Sequence, residues 1–174
     1  MLETILIIVA VLIAGVVVLA AMRPSDFRIE RSTLVRAPAE KVFPLISDLH
    51  AFNTWNPYLK LDPETKGTYS GAAQGPGAAY AWESKKTGVG RMEITETHAP
   101  SKVLMRLDFV KPFAASNLAE FTVDGRGGAT NVTWAMTGCN TFVSKLMGLF
   151  FSIDKMIGKS FEDGLADLKA KVEA

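Results

Sequence analysis

From Thr141 to Val172 the chain contains no proline, and Phe142, Leu146, Phe150, Ile153, Ile157, Phe161, Leu165, Leu168 and Val172 follow one another at steps of three or four. That spacing marks one face of an α-helix. The sequence therefore predicts a single long amphipathic helix, started by Asn140 or Thr141, whose short side-chain oxygens accept from otherwise unpaired backbone N–H groups. Such a stripe needs an apolar surface to lie on. The middle of the chain offers alternating β-type segments, so the expected fold is α+β: a curved antiparallel sheet wrapped around a long C-terminal helix. A sheet folded around one helix leaves an apolar space between the two.

The other apolar stretch has a different character. Ile5 to Met22 carries no charge and no strong polar group. At a rise of about 1.5 Å per residue it spans about 27 Å, close to the roughly 30 Å hydrocarbon thickness of a bilayer. Residues 1–22 read as a transmembrane anchor. A cleaved secretory signal is the competing reading, because Val18-Leu19-Ala20 has small-residue character, but the residues before the run include Glu3 and no Lys or Arg. Arg23, Arg28, Arg31 and Arg36 follow the span, which by the positive-inside rule puts the C-terminal domain on the cytoplasmic side of a single-pass protein. Residues 23–26 form a short linker, and 27–174 the domain.

Several function classes drop out early. The formal net charge is +1 without blocks of like charge, so there is no electrostatic footprint for nucleic acid. Cys139 is the only cysteine, which excludes an internal disulfide and a cysteine-rich metal site; it reads as a small buried apolar residue. His50 and His98 lie far apart in polar, turn-like contexts, and no metal or other cofactor is expected. The run Ser70 to Gly77 is followed by no helical pattern and closed by no Lys-Ser/Thr pair, so it is a turn and not a phosphate cradle. No glycine–serine elbow or nucleophile–base arrangement is present.

Phe27, Ile29 and Arg31 open a first strand that ends near Val35. Pro38 starts a short helix with Val42, Phe43, Leu45 and Ile46 on its apolar side, and Pro44 forces it to be very short or kinked. Leu49 to Pro57 reads as a second short helix or structured turn. Strands follow at Tyr80/Trp82, Met92/Ile94, Val103/Met105/Leu107/Phe109, Phe121/Val123 and Val132/Trp134/Met136, punctuated by turn residues.

The order strand, two short helices, about six strands, long helix is joined by particular residues: Trp55-Asn56-Pro57, Leu61-Asp62-Pro63, Gly90-Arg91-Met92-Glu93-Ile94, Val132-Thr133-Trp134 and Met156-Ile157-Gly158-Lys159. From about Phe27 onward the chain resembles the SRPBCC superfamily, in its polyketide cyclase/dehydrase-like branch. Met147-Gly148-Leu149-Phe150-Phe151 and Phe161-Glu162-Asp163-Gly164-Leu165 are similar to members carrying an N-terminal membrane span. The resemblance implies a helix-grip fold with a central hydrophobic cavity, related to START lipid-transfer domains and the birch-pollen allergen. It implies no single activity, since members include cyclases, lipid and quinone carriers and chaperone-ATPase activators.

The expected cavity lining is Trp82, Met92, Met105, Phe109, Phe121, Trp134 and Met136 from the strands, with Phe150, Asp154, Ile157, Gly158 and Phe161 from the helix. Any one of these apolar residues alone would simply fill a core. Gly158 and Gly164 flank the apolar stripe, and each glycine costs a helix about 0.5–1 kcal/mol, so they mark either close backbone packing or volume left empty. Asp154 falls near the centre of the apolar face. Two readings stay open for it. In one it lines the pocket as a polar contact or as a general acid/base with a raised pKa, with Arg106 and Lys145 as conceivable partners. In the other the helix breaks between Gly148 and Ser152 and Asp154 faces solvent. Glu83, Glu93, Glu96, Asp108 and Glu120 alternate with the apolar set and belong to solvated strand faces.

The function expected from this pattern is a membrane-anchored binding or carrier domain for a small hydrophobic molecule: a lipid, isoprenoid or polyketide-like compound. The membrane is a partner through residues 5–22, and nucleic acid is not. An enzyme of the cyclase/dehydrase type, working without metal or cofactor, is the first alternative, and a chaperone-activator-like interaction protein the second.

Overall fold

The computed structural model describes residues 2–174. The helix α1 (Leu2–Ala21) precedes the strand β1 (Asp26–Val35). Four one-turn helices follow, α2 (Ala39–Val42), α3 (Pro44–Ser47), α4 (Leu49–Asn53) and α5 (Pro57–Leu61). Then come β2 (Lys66–Gly71), β3 (Ala78–Ser84), β4 (Gly88–His98), β5 (Lys102–Lys111), β6 (Ala115–Arg126) and β7 (Ala129–Cys139), and finally α6 (Phe142–Met147) and α7 (Ile153–Glu173). The strands form one seven-stranded antiparallel sheet in the order β1-β7-β6-β5-β4-β3-β2. The first strand thus pairs with the last, and everything between is a meander. This is the α+β helix-grip architecture.

Where one or two short helices are expected, the chain makes four, and proline and capping chemistry explain the divisions. Pro44 sits in the first turn of α3, where its missing N–H removes no helical bond. Asp48 accepts from the backbone N–H of His50 at 2.8 Å and starts α4. Asn56 accepts from that of Tyr58 at 3.1 Å, and Pro57 opens α5. Side-chain caps at Asp48 and Asn56 satisfy donors at the starts of α4 and α5, and with Pro44 they let the chain turn four times within a short span.

The single C-terminal helix expected over Thr141–Val172 is in fact two, α6 and α7, with residues 148–152 between them. Thr141 caps α6 by accepting from Ser144 N–H at 3.2 Å. Gly148 ends it, and Ser152 starts α7 by accepting from Lys155 N–H at 3.3 Å. Glycine lowers helix stability and serine bonds locally to backbone, so a second cap wins over an unbroken ladder. The stripe resumes in α7, which buries Phe161, Leu165 and Leu168, lies along β1 and touches α5 and β7.

Both helix glycines answer to close packing. A Cβ on Gly164 would stand 2.8 Å from Pro57 Cδ and 3.0 Å from Trp134 Cζ3. One on Gly158 would fall on the Arg31 guanidinium. Neither glycine leaves volume empty.

Candidate functional site: an apolar cavity between sheet and helix

The inner face of the sheet is built from alternate residues of each strand. Along β4 the inward positions Gly90, Met92 and Ile94 are buried, whereas Arg91 and Glu93 pair with each other on the outer face at 2.5 Å. Gly90 faces inward for a reason: a Cβ there would lie 2.5 Å from the Trp82 ring, which leans across it towards Phe109 in an edge contact at 5.7 Å between ring centroids.

Between this face, the short helices and α7 lies a cavity of about 810 Å³. The strand residues Trp82, Met92, Met105, Phe109, Phe121, Trp134 and Met136 all contribute to its wall, as do Phe150, Asp154, Ile157 and Phe161. Gly158 does not, because Arg31 occupies the space beside it. Phe27, Ile29, Phe52, Asn56, Tyr58, Leu59, Tyr80, Leu107, Asn117 and Ala119 also line the cavity and were not in the expected lining. Tyr80 and Leu107 sit two residues from Trp82 and Phe109 on the same strand faces, so the alternation already put them on the inner side. Phe52, Tyr58 and Leu59 lie on one-turn helices too short to show a period.

One end of the cavity is closed by aromatic packing. Trp55 is buried, donates its indole N–H to Leu45 O at 2.8 Å, and meets Phe52, Trp134 and Phe121 edge-on with centroids 4.7, 5.9 and 6.0 Å away. Phe161 of α7 stacks on Trp134 at 4.1 Å. The Trp134 indole N–H is buried and has no hydrogen-bond partner among the described residues.

The wall is mainly apolar, but Arg23, Arg28, Lys145 and Asp154 bring charge to it, and Asn56, Tyr58, Tyr80, Thr87 and Asn117 bring neutral polar groups. Burial pushes the Tyr58 phenol up to about 12 and raises that of Tyr80, so both hydroxyls stay neutral at physiological pH and keep a proton to donate. Asp154 is the only carboxylate of the wall among the described residues. It stands at the rim, 59% exposed, and accepts from Arg31 Nη2 at 3.0 Å and Nη1 at 3.2 Å. That hydrogen-bonded pairing holds its carboxyl below the ordinary range, which removes the raised-pKa acid/base reading. Arg31 also donates from Nε to Glu162 at 2.9 Å, so one guanidinium clamps β1 to two points of α7. Neither partner suggested by the sequence is involved: Arg106 bonds Asp108 and Glu93, and Lys145 bonds Ser25.

The remaining motif residues support the walls. Asp62, buried below α5, accepts from Ser84 Oγ at 2.7 Å and from the backbone of Lys85 and Glu64 at 3.0 and 3.2 Å. The Ser84 hydrogen bond first, and the backbone donors after it, hold its carboxyl low. Cys139, expected to be buried, is exposed at the end of β7 because its strand ends at the cavity mouth.

The model of the family described as polyketide cyclase/dehydrase and lipid transport matches residues 26–173. The chain belongs to this family. Its fold recurs in solved structures at low identity. Protein CV1439 from Chromobacterium violaceum is 14% identical with a TM-score of 0.60, the match covering 87% of this chain and 99% of that one. DynU16, from the dynemicin biosynthetic locus, is 18% identical with a TM-score of 0.59, over 84% of this chain and 47% of that one. Ara h 8.0201 is 10% identical with a TM-score of 0.57, over 84% and 97%. No curated protein matches the sequence.

Proposed function

We propose that this family member is a membrane-anchored binding or carrier domain that holds one small hydrophobic molecule in the cavity. The observation that carries the reading is the cavity itself: about 810 Å³ walled by aromatic, Met and Leu side chains, with neutral phenols and amides as its interior polar groups. Such a wall favours an elongated apolar ligand of lipid, isoprenoid or polyketide type with a few oxygen atoms. The family description, which includes lipid transport, points the same way. Holding is favoured over cyclase chemistry because the one wall carboxylate is tied to Arg31 and the interior phenols are poor bases.

The anchor is α1, twenty residues long with a mean hydropathy of 3.1 over its most apolar window and almost no burial against the rest of the protein. The arginines that follow it orient the domain to the cytoplasmic side. The test is mass spectrometry of the full chain extracted in mild detergent. A stoichiometric apolar compound should accompany the native protein and be depleted in Ala119→Phe, which fills the wall at a fully buried position. A protein that carries nothing and takes up no added fatty acid, isoprenoid or polyketide would end the reading.

A further inference from the structure

The cavity mouth has an unusual rim. Downstream of Met22, twelve large apolar side chains are exposed, and six of them fall between Phe142 and Met156. Phe150 and Phe151 are 69% and 68% exposed, yet both line the opening. Strand register brings more to the same end. Asp26 pairs with Cys139, Asn117 with Gly138, Phe109 with Ala115 and Val89 with Lys111, so the β5–β6 turn carrying exposed Phe113 shares this end of the sheet.

The rim is also bound to the membrane helix. The last turns of α1 pack against α6, burying Ala20 completely. In the linker, Ser25 O accepts from Asn140 N–H at 2.6 Å, Pro24 O from Asn140 Nδ2 at 3.2 Å, and Ser25 Oγ from Lys145 Nζ at 3.1 Å. The apolar rim is therefore held beside the point where α1 ends. Arg23, Lys111, Lys145 and Lys155 stand at the same end; of the acidic groups there, Asp154 and Glu64 are paired with Arg31 and Lys85, Asp26 lies against Cys139, and Glu83 is exposed opposite Lys66 on the neighbouring strand.

We propose that α6 and residues 148–152 insert into the interfacial layer of the bilayer that α1 spans, so that the cavity opens onto lipid and not onto water. This rests on the anchor reading of α1. Aromatic side chains flanked by cations are what the interface of an anionic leaflet accepts. An apolar ligand would then pass between bilayer and cavity without crossing water. Lipid is favoured over a protein partner as the occupant because the rim is tied to the end of the apolar helix.

The test uses the full chain, with Cys139→Ser, in vesicles of equal parts phosphatidylethanolamine and phosphatidylglycerol. Single cysteines at Phe150→Cys, Phe151→Cys, Val11→Cys and Arg126→Cys carry a nitroxide whose accessibility to oxygen and to a water-soluble nickel chelate is compared. Arg126 serves as the distant control, because register puts it at the opposite end of the sheet. The oxygen-to-nickel ratio at positions 150 and 151 should exceed that at 126 several-fold and fall below that at 11. Equal ratios at 150, 151 and 126, with lipid-like values at 11, overturn the insertion alone. Shielding of 150 and 151 from both reagents assigns the rim to a protein contact and also overturns it. Nickel accessibility at 11 removes the anchor and the insertion together, and leaves ligand binding, read by mass spectrometry, untouched.

Discussion

The two ends of the cavity are made of the same residue types under opposite conditions. At the closed end Phe52, Trp55, Phe121, Trp134 and Phe161 are between 0 and 4% exposed and pack ring against ring. At the mouth Phe142, Phe150 and Phe151 are 51 to 69% exposed. The difference lies in what covers them. The α4–α5 segment seats Phe52 and Trp55 against Phe121 and Trp134, while Phe142 at the start of α6 and Phe150 and Phe151 in the break before α7 are left uncovered, with α6 packed on α1. Hydrophobicity alone does not say which aromatic residue builds a core and which builds a surface.

The largest effect should come from deleting a ring at the closed end, set against the same deletion at the mouth. Phe161→Ala removes the partner stacked on Trp134 and should lower unfolding stability by about 3–5 kcal/mol. Phe150→Ala or Phe151→Ala should stay within about 0.5 kcal/mol when unfolding is followed by circular dichroism in detergent. Equal losses at the two ends would break the comparison.

Gly164→Ala comes next. The added methyl meets Pro57 and Trp134, so overpacking of about 1–3 kcal/mol should exceed the gain of about 1 kcal/mol in helix propensity. Gly15→Ala in α1, where nothing lies within 4 Å, should be neutral or stabilising in the same measurement.

A smaller, pH-dependent effect belongs to Asp62. Its carboxyl is held low in the folded state, so its contribution is fully present above the unfolded value of about 3.9 and fades as pH falls through the folded value. Asp62→Asn should lower the melting temperature near neutral pH and flatten the fall in melting temperature on acidification. An unchanged acid limb would sever the link.

The smallest effect is expected at the rim. Asp154→Asn should barely shift stability, because its pairing with Arg31 is exposed, and should leave the amount of co-purified ligand unchanged. A marked loss of ligand would return Asp154 to the site.

Much of the sheet was legible because strand periodicity is two and the inner face is mainly apolar. Met105, Leu107 and Phe109 show it plainly. β2 was not legible: Lys66 to Gly71 contains two glycines and is exposed throughout, so no alternation announces it. The Arg31 clamp was equally hidden. Its partners lie 123 and 131 residues away, and no local pattern records an ion pair across that distance.

Local spacing by itself determined the apolar span, the alternating strands, the α7 stripe and most of the cavity's strand-side wall. Tertiary structure decided the rest: that Gly158 and Gly164 accommodate Arg31 and Trp134, that Asp154 is paired at the rim, and that the α6–α7 break lies beside the end of α1. Periodicity reports which face of an element is apolar. What that face meets depends on chain segments a hundred or more residues away, and only packing brings them together.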